Sequence, residues 1–97
     1  SGQVGISPDA EIPADFAGQA ALCFDNIDAI LREAGMDRRH VVKLNAYVTA
    51  REYLKPYMEA RNARFEEPWP ASTLVIVTGF AREDFLVEVE AVAAAPV

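Results

Sequence analysis

Ninety-seven residues leave room for one domain and no more. An apolar content of 52% excludes a disordered tail, and no run of about 18 apolar residues is present to form a membrane-spanning helix. Fifteen acidic residues against nine basic ones give a net charge of −6, which repels phosphate backbones and anionic lipid, so neither nucleic acid nor membrane is expected as a partner.

The segment from Ser1 to Pro13, with scattered Gly, Pro and polar residues, reads as a loop. Helical periodicity follows from about Asp15 to Ala34. Phe16, Cys23, Ile27, Ile30, Leu31 and Ala34 recur at steps of three and four, with Ala20 between them. Asp15 suits the positive end of this helix, and Gly35 is its expected stop. His40 to Ala50 alternates as a strand: Val42, Leu44, Ala46 and Val48 on one face, Lys43, Asn45, Tyr47 and Thr49 on the other. A second helix is predicted over Arg51 to Glu66. Leu54, Met58, Arg61 and Phe65 share its stripe, with Tyr57 beside it, and Pro56 is confined to the first turn. Glu67-Pro68-Trp69-Pro70 ends it. Two strands close the chain, about Ser72 to Gly79 and Phe85 to Ala93, joined by a connection short enough for an antiparallel hairpin.

Mixed helices and strands place the chain in the α+β (α/β) class with a single sheet. The strand from Ser72 to Gly79 is apolar on both sides, Leu74 and Ile76 against Val75 and Val77. Such a strand needs a layer on each face. Two helices cover only one face of a small sheet, so the other is expected to meet a second copy of the chain. A chain this short also buries only part of its surface alone. It opens on Ser1 without an initiator Met, which reads as processing, trimming or a fragment. No secretory signal is visible, and the cytoplasm is the default location.

Common catalytic motifs are missing. Gly2 and Gly5 lack the strand-to-helix setting of a phosphate loop, and there is no serine nucleophile elbow. A single cysteine and a single histidine exclude an internal disulfide and a zinc cluster; no metal or cofactor is expected. Cys23, on the apolar stripe, reads as an inert core thiol, and His40 as a surface or internally satisfied imidazole. Glu88 and Glu90 stand out. They lie one residue apart on an apolar strand and so share a face, at roughly 7 Å. Two readings are open: a solvated face, or an intersubunit cleft in which a partly buried carboxylate positions water or a proton. A buried pair would need a partner from Lys43, Arg61, Arg64 or another subunit.

Ser1-Gly2-Gln3, Asp25-Asn26-Ile27, Val41-Val42-Lys43 with Tyr47-Val48-Thr49, Pro70-Ala71, and Leu86 to Ala93 resemble, in order and over essentially the whole chain, the RidA (YjgF-like) family of reactive-intermediate deaminases. The resemblance implies a chorismate-mutase-like fold: one mixed sheet, two helices on one face, and a homotrimeric barrel assembly with small-molecule clefts between subunits. It implies hydrolysis of enamines or imines to a 2-oxo acid and ammonia. It further implies a water-directing glutamate at Glu88, an acidic neighbour at Glu90, and cleft walls at Gly2, Tyr57, Pro70 and position 72. In typical members an arginine follows the Pro-Ala pair and grips the substrate carboxylate; here that position is Ser72, which has one hydroxyl and no charge. The family's first hairpin, which precedes the Ser-Gly-Gln stretch, is also missing, so residues 1–97 are read as one RidA-like domain without it. Trp69 between prolines reads as packing. The expected function is a deaminase-type hydrolase with altered substrate preference; the alternative is a trimer of the same fold that binds a small metabolite without catalysis.

Overall fold

The computed structural model describes residues 2–5 and 11–95. The first helix, α1 (Phe16–Glu33), forms where the periodicity places it. The Asp15 carboxylate accepts the Gly18 N–H at 3.0 Å, satisfying one of the donors that a helix start leaves open. At the other end Gly35 takes a φ of 73°; its N–H donates to the Arg32 carbonyl at 3.0 Å and the Met36 N–H to that of Leu31 at 2.8 Å. This pair of bonds closes a helix on a left-handed residue, which glycine adopts without a Cβ clash. Phe16, Ala20, Cys23, Ile27 and Leu31 are buried as expected, together with Gln19 and Phe24, whereas Ile30 falls outside the stripe and is exposed.

A short 3-10 turn, Arg38–His40, leads into β2 (Val41–Val48). Asp37 and His40 cap this turn reciprocally, the His40 Nδ1 accepting the Asp37 N–H at 3.0 Å, so the single histidine is internally satisfied. The region predicted as the second helix opens on a 3-10 turn, Arg51–Tyr53, and its regular part, α2 (Leu54–Arg64), starts next to Lys55, as the position of Pro56 requires. Pro56 occupies the first turn, where its missing N–H has no helical acceptor to lose. Tyr57, not Arg61, is the centre of the buried face. It is fully enclosed and stacks with Phe24 at a centroid distance of 6.0 Å.

Four strands, β1 (Gly2–Val4), β2, β3 (Ala71–Ile76) and β4 (Val87–Ala93), form one mixed sheet in the order β1-β4-β2-β3. Three expectations are corrected here. The opening segment is not wholly loop, because Gly2–Val4 pairs antiparallel with β4. The last two strands are not a hairpin: β2 lies between them, parallel to β3 and antiparallel to β4. The strand that is apolar on both sides is an edge strand in this chain, with Val75 and Ile76 exposed. A register shift between Val41 and Lys43 also turns Val42 outward and gives its core place to Val41.

The core lies between the helices and one sheet face, built from Leu44, Ala46, Val48, Val87 and Val89 against the α1 stripe. Gln19 is the buried polar residue within it. Its Nε2 donates to the Pro13 carbonyl at 2.9 Å and the Asp84 carbonyl at 2.7 Å, while its Oε1 accepts the Leu86 N–H at 2.8 Å. Gly5 packs on it so closely that an added Cβ would stand 2.5 Å from the Gln19 Cβ. Gln19→Leu keeps the volume but strands two carbonyls and one N–H. We expect it to cost about 3 kcal/mol, read as a lower urea midpoint at an unchanged slope. A wild-type midpoint would mean that the three bonds add nothing to stability.

Candidate functional site on the open sheet face

Alternation along β4 sends Val87 and Val89 into the core and Glu88 and Glu90 to the opposite face, which no helix covers. Tyr47 of β2 stands across from Glu88, and Asn45 across from Glu90. On the other flank β1 sets Val4 beside Glu88 and Gly2 beside Glu90. The carboxylates' cross-strand neighbours are therefore Asn45 and Tyr47, not the β3 residues that a hairpin would have supplied.

The Tyr47 hydroxyl reaches diagonally and donates a short hydrogen bond to Glu90 Oε1. That bond, then desolvation and the charges of Glu90 and Glu88, raises the phenol pKa above its usual value. Among the described residues, the Glu88 carboxylate makes no hydrogen bond or ion pair. The two carboxylates are thus unequal, one held and one open. The same face also carries valines, with Val42 50%, Val75 40% and Val92 52% exposed.

The remaining predicted residues are dispersed. Ser72 pairs with Leu44, so it projects toward the helix side of the sheet, beyond the cover of the helices. It is separated from Glu88 by β2 and by the sheet itself. Pro70 precedes β3. Tyr57 lies in the core, its hydroxyl without a partner and its pKa pushed up to about 12 by burial. Neither arginine considered as a charge partner approaches the glutamates. Arg64 is tied to Asp25 at 2.9 Å, and Arg61 bonds Asn62 and lies over the Trp69 ring at 5.6 Å.

A cavity of about 810 Å³ lies elsewhere, between the ends of both helices and the loop before β3. Its walls include the Arg38–Asp28 pair, a two-pronged contact at 2.8 and 2.6 Å, and equal numbers of acidic and basic side chains. Within it Arg64 of α2 lies 3.8 Å from Asp28 of α1, so part of this charge joins the two helices. Among the described residues no group of three or more His, Cys, Asp or Glu is placed to hold a metal ion, and no helix is long and apolar enough to cross a membrane.

Sequence reasoning missed Tyr47 as a site residue. The available signal was a polar tyrosine on the same outward face as Lys43 and Asn45, but the strand order that sets it beside Glu88 was misread. Cys23 sits beneath the site, its Sγ 3.9 Å from the Val87 carbonyl. Burial pushes its thiol up to about 12, and the nearby Glu88 charge adds to the effect. It is no nucleophile at neutral pH. A disulfide reagent should leave it unmodified in the folded protein and label it fully in denaturant. Rapid labelling of the native state would contradict this placement.

A four-stranded mixed sheet, two helices on one side and acid groups on the bare side define a small α+β protein whose polar site lies outside its own core. A family model described as Endoribonuclease L-PSP matches residues 1–95, and the chain belongs to this family, which includes the RidA and YjgF proteins. The 2-iminobutanoate/2-iminopropanoate deaminase of Escherichia coli K12 is 34% identical over 101 residues, covering 96% of this chain and 75% of the relative. A RutC family protein of Aquifex aeolicus is 37% identical over 68 residues, covering 69% of this chain and 54%, about half, of the relative. RidA from an Antarctic Psychrobacter superimposes with a TM-score of 0.93 at 33% identity, over 98% of this chain and 77% of that one. E. coli TdcF with bound serine gives 0.91 at 30%, over 99% and 78%. The fold expected from sequence is thus the fold of these relatives.

Proposed function

We propose that this chain is a hydrolase of a small imine or enamine, acting in a cleft completed by a neighbouring copy in a homotrimer. The observation that carries the reading is Glu88, a carboxylate without a side-chain partner among the described residues, on a sheet face that no described helix covers. The deaminase name of the E. coli relative and the serine bound to TdcF support a small amino-acid-derived ligand. The exposed valines around Glu88 support burial of this face by further copies. Ser72 and Glu88 lie on opposite sides of one chain's sheet, so a site that uses both takes them from two chains.

The chemistry needs one group that takes a proton and gives it back. An enamine takes a proton at carbon from the protonated Glu88 and becomes the iminium form of the imine. Water attacks the imine carbon as Glu88 accepts its proton, forming a C–O bond and a carbinolamine. Glu88 then returns the proton to nitrogen; as the C–N bond breaks, the hydroxyl proton passes to Glu88 and ammonia leaves behind a carbonyl. One water is consumed and no electrons are exchanged. Gly2, Glu90 and Pro70 line the cleft in this reading, while Tyr57 acts from the core by packing. Ser72 stands where the family resemblance expects an arginine, so a substrate carboxylate loses its two-pronged partner. A shift of preference away from free 2-imino acids follows.

The test couples this protein to a lyase that releases 2-aminoacrylate and follows pyruvate. Acceleration that falls at least about a hundredfold in Glu88→Gln is expected; equal rates for wild type and variant would sink the hydrolase reading. Ser72→Arg should raise kcat/KM for this carboxylate substrate about tenfold or more. Sedimentation should give three chains per particle, and a monomer at all concentrations would contradict the shared cleft.

Ser72 also favours a second reading, a trimer that binds a metabolite without turning it over. A compound that raises Tm and is recovered unchanged would select it. The family description names an endoribonuclease, but a net charge of −6 opposes RNA. Tight, salt-dependent RNA binding would reverse that judgement.

A further inference from the structure

Two like carboxylates on one strand face compete for the same water and the same proton, and a mechanism with a single base needs them to differ. The hydrolase reading, on which this inference rests, does not itself say what makes them differ. A strand pair sets the directly opposed side chain about 5 Å away and the diagonal one about 7 Å away. Tyr47 opposes Glu88 directly, yet its hydroxyl reaches along the diagonal to Glu90. A phenol carries one proton and serves one acceptor at a time. The other chain groups at this level of the face are Lys43 and Asn45 on β2 and Thr73 and Val75 on β3; among the described residues none of their side chains bonds either glutamate.

We infer that Tyr47 is a positioning residue of the site: its hydroxyl holds Glu90 and so leaves Glu88 as the single carboxylate open to water and substrate. Glu90 is then a fixed anion beside the reacting centre, with one oxygen committed. Removing the phenolic proton frees Glu90 to take the water or to repel Glu88 from its working rotamer. Substrate affinity depends on the cleft walls and changes little, whereas turnover depends on which oxygen meets the water and falls.

The test is a double-mutant cycle on Tyr47→Phe and Glu90→Ala, read by pyruvate release from lyase-generated 2-aminoacrylate. Phenylalanine keeps the ring and removes only the hydroxyl. The Tyr47→Phe protein should lose about tenfold in kcat with KM within roughly twofold. The double variant should be no slower than Glu90→Ala alone, because the hydroxyl acts through that carboxylate. A second readout is independent of turnover. Tyrosinate absorbance, with Tyr47→Phe subtracted, isolates the Tyr47 titration, and Glu90→Ala should move it down toward the ordinary 10.0. A Tyr47→Phe enzyme with wild-type kcat, an additive double variant, or a titration indifferent to Glu90 overturns the role. A wild type that never exceeds the lyase alone overturns the hydrolase reading and this role together. An active wild type matched by Tyr47→Phe overturns only the role.

Discussion

Two pieces of chain that are far apart in sequence meet at one side-chain amide. Gln19 holds the segment before α1 through Pro13 and the approach to β4 through Asp84 and Leu86, and Gly5 at the exit of β1 packs on it. An amide has two donors and two acceptor positions, and three of these four are used here by backbone. The bond to Leu86 matters most for the site. It anchors the residue just before β4, and in a strand a slip of one residue exchanges the faces of every side chain. Such a slip would carry Glu88 and Glu90 into the core and Val87 and Val89 out of it. Desolvating two unpaired carboxylates is far more costly than any rearrangement of a surface loop. The hydrophobic alternation and the Gln19 bond therefore specify the same register, one by energy summed over the strand and the other at a point.

The face that this register creates is half apolar and half acidic. A monomer leaves valines of β2, β3 and β4 in water, which favours covering them. Covering them also removes water from Glu88 and Glu90, which disfavours it unless the charges gain partners. Tyr47 supplies one partner from within the chain. Glu88 is left as the group whose desolvation any covering layer must answer. A carboxylate kept open at an otherwise closing interface is costly in a purely structural contact and useful where a small molecule and water must enter.

Much of this was legible in the sequence, for local reasons. Asp15 and Gly35 mark the ends of α1 because capping is a property of neighbouring residues. The shared face of Glu88 and Glu90 follows from the two-residue period alone. Strand order was not legible. The chain between β3 and β4 is short enough for a hairpin, and nothing in it announces that β2 will insert between them. That single error displaced the neighbours of Glu88 from Tyr47 to β3. The outward turn of Val42 was hidden for a related reason, since a bulge depends on the partner strand. Gln19 was invisible because one polar residue inside an amphipathic stripe looks like an interruption until its three acceptors and donors are seen. Ser72 was legible as an identity but not as a direction, which the parallel pairing with Leu44 decides.

The distribution of positive charge bears on what such a site can hold. Arg38 grips Asp28, Arg64 binds Asp25, Arg39 binds Asp37 and Arg82 binds Asp84. Arg61 leans over Trp69. These guanidinium groups are engaged by their own chain, on the helices, turns and loops rather than on the open face. Among the described residues the cation that shares the outward side of β2 with Tyr47 is Lys43. An ammonium is a compact, strongly hydrated point charge on a flexible stem, without the planar fork that orients a carboxylate. It can attract an anionic ligand toward the face but fixes its orientation poorly. In the proposed trimer, orientation of the ligand comes from directional groups: the Ser72 hydroxyl of one copy, the β1 backbone beside Gly2, and Glu88 beside the Tyr47–Glu90 pair. A substrate rich in hydrogen-bonding groups but not dependent on a carboxylate clamp suits that set better than a free 2-imino acid does.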